Sequence, residues 1–172
     1  MFVLDTNVVS ELRKAKAGKA DKNVTTWAGS MPPSSLFLSA ITILEPDAQD
    51  APDLQFYWLT PFHTHTGYGG FLNCHHTGDQ TMDVQLVTST DGWTWTRALN
   101  RQPLIPLGPR GSFDCGLTIV AAQPVRWHDR VLVFYHGRAT VHDGQPRFPA
   151  DTQPDPINGI GLAEFSPALL ES

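Results

Sequence analysis

All four lysines of this chain, Lys14, Lys16, Lys19 and Lys22, lie near its start, and none follows Lys22. Beyond that point seven arginines carry the whole positive charge, and twelve of the 14 prolines stand at or after Pro46. A single domain rarely splits its composition so sharply, although 172 residues is an ordinary one-domain length. Residues 1–45 carry a net charge near +1 and the remainder near −6, which together give the formal −5. That balance excludes a strongly basic nucleic-acid binder. With 41% hydrophobic and 17% charged residues, five Trp and nine Phe, the chain reads as globular rather than disordered. No apolar run approaches the length of about 18 residues that a membrane helix needs. Two cysteines do not make a disulfide scaffold. Met1 opens directly on Phe2-Val3-Leu4-Asp5, with no basic region and cleavage site, so no signal peptide is expected. That favours a cytoplasmic chain in which Cys74 and Cys115 stay thiols.

Residues 2–4 read as a buried parallel strand with Asp5 at its carboxyl end. A helix can follow over Asn7 to Lys14, capped by Asp5, Thr6 or Asn7. Lys14 to Lys22 reads as a solvated basic loop, and Asn23 as the cap of a second helix through Trp27 that Pro32-Pro33 stops. Leu36 to Ile41 is a second apolar run, and Thr42 onward opens a third helix with Glu45 in its first turn. In an open α/β sheet, Asp5 and Glu45 both fall at the carboxyl edge, where ligand sites form. Two carboxylates there can hold a hard cation such as Mg²⁺. The plainer alternative makes Asp5 a helix cap and Glu45 an exposed first-turn charge.

The strings MFVLDTNVVSELRK and NVTTWAGSMPPSSLFLSAITILE resemble the opening of a PIN-domain ribonuclease toxin of the VapC type. The resemblance runs from residue 1 to about residue 45. It implies a metal-dependent ribonuclease site with Asp5 and Glu45 as Mg²⁺ ligands and Asn7 positioning the first acid. It also implies RNA and a cognate antitoxin as partners of a complete domain. The pattern then breaks. Residues 46–52, from Pro46 to Pro52, have no apolar stripe and read as a junction, and no later helix or strand supplies the family's further aspartates. Two carboxylates alone bind Mg²⁺ weakly and do not set up in-line phosphodiester attack.

From Phe56 on, the signals are strands and turns. Phe56 to Leu59, Phe71 to His76, Met82 to Thr88 and Thr94 to Arg97 read as four antiparallel strands with short hairpins. Leu117 to Ala121, Val125 to Trp127, Val131 to Tyr135 and Ile160 to Phe165 repeat the pattern, interrupted by a Pro- and Asp-rich loop at 143–158. Asn158-Gly159 has hairpin-turn chemistry. In the turn Ser89 to Trp95, Asp91 can accept backbone N–H groups and Gly92 can supply a positive φ, with one Trp folded back over the hairpin. Repeating four-stranded units with aromatic and Gly turns point to propeller blades. The expected fold is therefore mainly β, about two blades over 53–172, behind a truncated α/β segment over 1–45.

The strings MDVQLVTSTDGWTWTR, PLIPLGPRGSFDCG, VLVFYHGRATVH and INGIGLAEF resemble uncharacterised bacterial proteins of the five-bladed glycoside-hydrolase propeller superfamily, over roughly residues 53–166. The resemblance implies a sugar-facing cleft with Asp114 as a catalytic acid and with Tyr135 and His142 on the same rim, so carbohydrate is the implied partner. Hydrolysis needs two carboxyl groups across the scissile bond, and Asp114 furnishes one. Read from the residues alone, Asp114 is equally a turn cap before a strand. Two blades also leave open sheet edges, through which such a chain can self-associate.

Trp58, Trp93, Trp95 and Trp127 read as inter-blade core with sugar stacking as the alternative. His63 and His65 share one strand face beside the His75-His76 strand, but no carboxylate is placed to orient them as metal ligands. Three functional readings follow: a carbohydrate-acting or carbohydrate-binding propeller piece, a truncated Mg²⁺-dependent ribonuclease, and a composite of the two that is inactive as it stands. The composite reading predicts no Mg²⁺-dependent RNA cleavage by the purified chain. Cleavage that disappears with Asp5→Ala and Glu45→Ala would overturn it.

Overall fold

The structure is a computed structural model and describes residues 2–38, 44–148 and 157–170. The chain divides into two compact units, Met1–Glu45 and Pro46–Ser172.

In the first unit, β1 (Phe2–Leu4) pairs in parallel with β2 (Leu36–Leu38), Phe2 opposite Leu36. Between them run α1 (Thr6–Lys14) and α2 (Lys22–Ser30). Asp5 caps α1 by accepting the Val8 N–H at 2.8 Å, and Arg13 and Lys14 in the last turn complement the helix dipole. Asp21, not Asn23, caps α2, because its carboxylate reaches the N–H groups of both Asn23 and Val24. Glu11 ties the two ends by accepting from Lys14 Nζ at 2.6 Å and from the Asp21 N–H at 2.9 Å. β1 is not the buried strand expected from its apolar run. Leu4 is buried, but Phe2 and Val3 are exposed, since a two-stranded sheet offers no second layer to cover them. Phe2 packs edge-on against Trp27 instead. The expected third helix begins at Thr42, outside the described residues. Residues 44–47 form no helix, and Glu45 lies exposed in this irregular stretch.

In the second unit, β3 (Leu54–His63), β4 (Tyr68–His76) and β5 (Thr81–Ser89) form an antiparallel meander. Both β4 and β5 are buried along most of their length. The next border of β5 is shared by three short strands. β6 (Thr96–Arg97) pairs with Val87 and Thr88, and β7 (Pro103–Ile105) pairs with Val84 and Gln85. β8 (Leu117–Ile119) meets β5 in parallel at Met82. The piecewise border has a local cause: Leu99, Asn100 and Arg101 all hold positive φ and turn the chain away after β6. β9 (Val125–Trp127), β10 (Arg130–Arg138) and β11 (Asn158–Phe165) complete the sheet, β10 lying between β11 and the pair β8 and β9.

Among the described residues the strands of the second unit join in one open nine-stranded sheet with β3 and β11 at its edges, and the two expected four-stranded units meet in it where β5 and β8 share one paired position. Asn158-Gly159 is not a hairpin turn. Both residues pair within β11, opposite Arg138 and Gly137. Nor are all the tryptophans core. Trp93 is 62% and Trp127 60% exposed, whereas Trp95 is half-buried and donates its indole N–H to the Gly92 carbonyl at 3.1 Å.

The core gathers Phe62, Phe71, Val84, Leu86, Val120, Val131 and Val133. One polar group inside it joins the halves of the sheet. The Val120 carbonyl accepts from Trp58 Nε1, Thr60 Oγ1 and Asn73 Nδ2, each at 3.0 Å, and Asn73 Oδ1 accepts the Val120 N–H at 2.9 Å. Within the second unit, ion pairs hold the segment 46–52 to the sheet. Asp50 takes Arg97 at 3.0 Å and Arg101 at 2.8 Å, and Asp47 takes Arg101 at 2.7 Å. Asn73→Leu is expected to cost about 1–3 kcal/mol in urea unfolding, because the Val120 N–H loses its acceptor. Thr60→Val should cost less, because two donors remain on the carbonyl.

Candidate functional site

Asp114 sits at the end of a turn that doubles back before β8. Gly111 holds a φ of 87° there, and the Ser112 N–H closes on the Pro109 carbonyl at 3.0 Å. The Asp114 side chain is buried. Its Oδ1 lies 2.6 Å from the Ser112 hydroxyl, and its Oδ2 accepts from the Tyr135 hydroxyl at 2.8 Å. Tyr135 comes from the middle of β10, with the Phe113 ring stacked parallel to it at 6.4 Å.

The walls are glycine where side chains would collide. A Cβ at Gly108 would lie 1.9 Å from Asp114 Oδ1, and one at Gly161 would lie 2.1 Å from the Tyr135 ring. A Cβ at Gly137 would lie 2.5 Å from the Asp114 Cβ. The Tyr135 phenol is pushed up to about 12, first by burial and then by its hydrogen bond to Asp114. It therefore stays a donor at neutral pH and fixes one carboxylate oxygen, while the Ser112 hydroxyl stands beside the other.

His142 is not part of this group. Its ring lies 5.0 Å from Tyr57 and 4.5 Å from His75, and its backbone N–H donates to the Gln80 carbonyl at 2.7 Å. Tyr57 reaches that place because the β3–β4 register shifts between Phe56 and Trp58, leaving Tyr57 as the extra residue. So Asp114 and Tyr135 come together, and His142 joins a separate aromatic cluster.

His75 and His76 point to opposite faces and meet opposite electrostatics. His75 is 6% exposed, its Nε2 has no hydrogen-bond partner, and burial followed by the proximity of His142 lowers its pKa. His76 Nε2 lies 2.7 Å from Asp83 Oδ2, and that hydrogen bond raises its pKa. Asp83 is the orienting carboxylate that the linear sequence did not reveal. Pairing of His76 with Thr81 and of Cys74 with Asp83 makes it the diagonal neighbour of His76. Among the described residues no three His, Cys, Asp or Glu side chains converge as a metal site.

In the first unit, the Asp5 carboxylate serves as the α1 cap, and Glu45 pairs with Arg13 at 2.8 Å on the surface. Asn7 is exposed in the first turn of α1. The Asp91 turn forms as its sequence reads: Oδ1 accepts the N–H groups of Thr94 and Trp93 at 2.7 and 2.8 Å. These bonds hold its pKa down to about 2, and Gly92 has φ 76°.

The two histidines set opposite pH dependences. His75, lowered from 6.5, takes up more protons unfolded than folded, so its contribution is complete above pH 6.5 and is lost as pH falls. His76, raised from 6.5, contributes fully below pH 6.5 and loses that contribution as pH rises through its folded value. His75→Gln is therefore expected to flatten the acid limb of a Tm–pH profile, and His76→Gln the limb above pH 6.5. Thermal melts on both sides of that pH check the assignment.

No protein-family model matches the chain, and no curated protein matches it. A solved structure described as a BT0996 RGII complex shares its fold at a TM-score of 0.51 and 12% identity, over 72% of this protein and 35% of that one. A second, described as "Glycoside hydrolase", aligns at a TM-score of 0.47 and 16% identity, over 73% of this protein and 31% of that one. The chain thus spans about a third of the length of either solved protein.

Proposed function

We propose that the second unit is part of a glycoside-hydrolase-like β-propeller, about two blades of it, and that it binds carbohydrate at Asp114 and Tyr135. The observation that carries this reading is the built carboxylate. Asp114 is buried, hydroxyls stand at both its oxygens, and glycine lines the positions where a Cβ would displace it. A carboxylate fixed in this way keeps further lone pairs for vicinal sugar hydroxyls. The stacked Phe113 and Tyr135 rings add an apolar surface of the kind that sugar rings pack against. The fold shared with the RGII complex supports the same reading.

Glycoside hydrolysis requires a second carboxyl group across the bond, so binding without turnover is the activity proposed for this chain. Its composite character is part of the proposal: a partial α/β segment over 1–45, a join over 46–52 and a partial propeller over 53–172. The composition break and the division of the chain into units at Glu45 support it. The Mg²⁺-dependent ribonuclease reading gains no observation of its own, since Asp5 and Glu45 are each engaged locally.

Affinity electrophoresis in gels containing soluble polysaccharides tests the reading, with RGII as the first probe. Retardation of the native chain is expected, weakened about 10- to 100-fold in apparent affinity by Asp114→Asn and less by Tyr135→Phe. Equal retardation of Asp114→Asn removes that residue from the site. No retardation by any polysaccharide overturns the function.

A further inference from the structure

A groove of about 320 Å³ opens where two hairpins end side by side. The β3–β4 hairpin contributes Thr64, Thr66 and Tyr68 to its lining. The β5–β6 hairpin contributes Thr88, Ser89, Thr90, Thr94 and Thr96. Every lining residue carries a hydroxyl, and none carries a charge. The volume lies within the usual range of small-ligand sites, about 300–1,000 Å³.

The walls are fixed by the sequence. Gly67 has φ 152°, and a Cβ there would stand 2.3 Å from the Ser89 carbonyl oxygen, so only glycine lets the two hairpins approach this closely. Thr88 pairs directly with Thr96 across the strands, placing two hydroxyl residues side by side. Ser89 and Thr94 are held by Asp91: the Ser89 hydroxyl lies 3.0 Å from its Oδ1, and the Thr94 N–H donates to it. The Tyr68 ring lies against Gly92. The hydroxyls of Thr64, Thr66, Thr88, Thr90 and Thr96 belong to residues that line the groove. Each is at once a donor and an acceptor.

An uncharged lining gives phosphates, carboxylates and metal ions no counter-charge. What it matches is a neutral ligand dense in hydroxyls. Trp93, exposed on the same turn, offers a flat apolar surface of the kind the C–H face of a sugar ring covers. We infer that this groove is a saccharide subsite separate from Asp114, taking a neutral sugar ring through hydroxyl–hydroxyl hydrogen bonds. It stands on the groove's own chemistry and does not require the Asp114 site to bind.

Backbone-amide NMR of the full chain, titrated with D-glucose, D-galactose and D-mannose, tests it, with D-galacturonate as the charged comparison. Saturable shifts confined to residues 64–68 and 88–96 are expected with at least one neutral sugar, and weaker ones with galacturonate. The double variant Thr88→Val, Thr96→Val keeps the shape and removes two hydroxyls. It should weaken binding at least about tenfold, as should Trp93→Ala, with the amide spectrum elsewhere unchanged. Asp114→Asn should leave these shifts intact, so failure of the Asp114 reading and failure of the groove are told apart. Absence of saturable shifts with all three neutral sugars overturns the inference. So do equal affinity in both variants or loss of the hairpin shifts in Asp114→Asn.

Discussion

The Val120 carbonyl is the point on which the second unit hangs. A buried carbonyl left without a donor costs more than a hydrogen bond gains, so its surroundings must supply one. Here three side chains do, Trp58 and Thr60 from β3 and Asn73 from β4, and Asn73 also takes the Val120 N–H. These bonds fix the chain just after β8 against the middle of the β3–β4 hairpin. β8 touches β5 at a single paired position, Met82 with Leu117, so ladder bonds alone give the two parts of the sheet little purchase on each other. Side-chain bonds to one peptide group complete the connection. They satisfy the side chain of a fully buried asparagine.

The placement of Asp114 follows from that connection. β8 begins three residues after it, and β8 also pairs with β10 at Gly137 and Arg138. Tyr135 lies two residues from Gly137 on the same face of β10, so register alone brings its hydroxyl toward the turn that carries Asp114. The glycines at 137, 159 and 161 then become intelligible. Gly137 faces Gly159 and Tyr135 faces Gly161 across β10 and β11, and the Phe113 and Tyr135 rings occupy the space the absent side chains leave. Glycine in a strand costs about 0.5–1 kcal/mol relative to alanine. The cost is offset by ring packing and by a carboxylate held with hydroxyls at both oxygens.

Local signals were legible where local chemistry decides. The strand β5, the Asp91 turn and a cap for α1 among Asp5, Thr6 and Asn7 are written in a few adjacent residues; the structure has that strand, buried on both faces rather than alternating, that turn, and Asp5 as the cap. The pairing of Asp114 with Tyr135 needed the register of two distant strands, so the sequence could nominate both residues but not their bond. Only the resemblance sets His142 on that rim, and no local pattern does; its ring meets Tyr57 and His75 instead. Asn158-Gly159 carries hairpin chemistry, but Phe113 over the facing glycines makes it more useful as strand. Residues 46–52 look like a bare linker because their partners, Arg97 and Arg101, lie some fifty positions away. Trp93 and Trp127 read as core because aromatic residues usually are. Nothing local distinguishes a tryptophan on an open sheet face from one inside a closed stack.

The lysine-free composition has a structural counterpart. The second unit uses its cations as flat, multivalent donors, a role the lysine ammonium fills poorly. Arg97 bonds Asp50 and Gln85 while lying over the Phe56 ring at 4.8 Å. Arg101 bridges Asp47 and Asp50. Arg147 donates to the Cys115 carbonyl beside Asp114 and, with Arg110, lies against Phe148. The first unit asks for something else. Among its described residues only Leu4 is a buried hydrophobic, and its four lysines stand exposed at the end of α1, at the start of α2 and between the two helices. Lysine on one side of Glu45 and arginine on the other thus reflect two packing regimes: a surface with little interior, and an interior that recruits cations into its hydrogen-bond network.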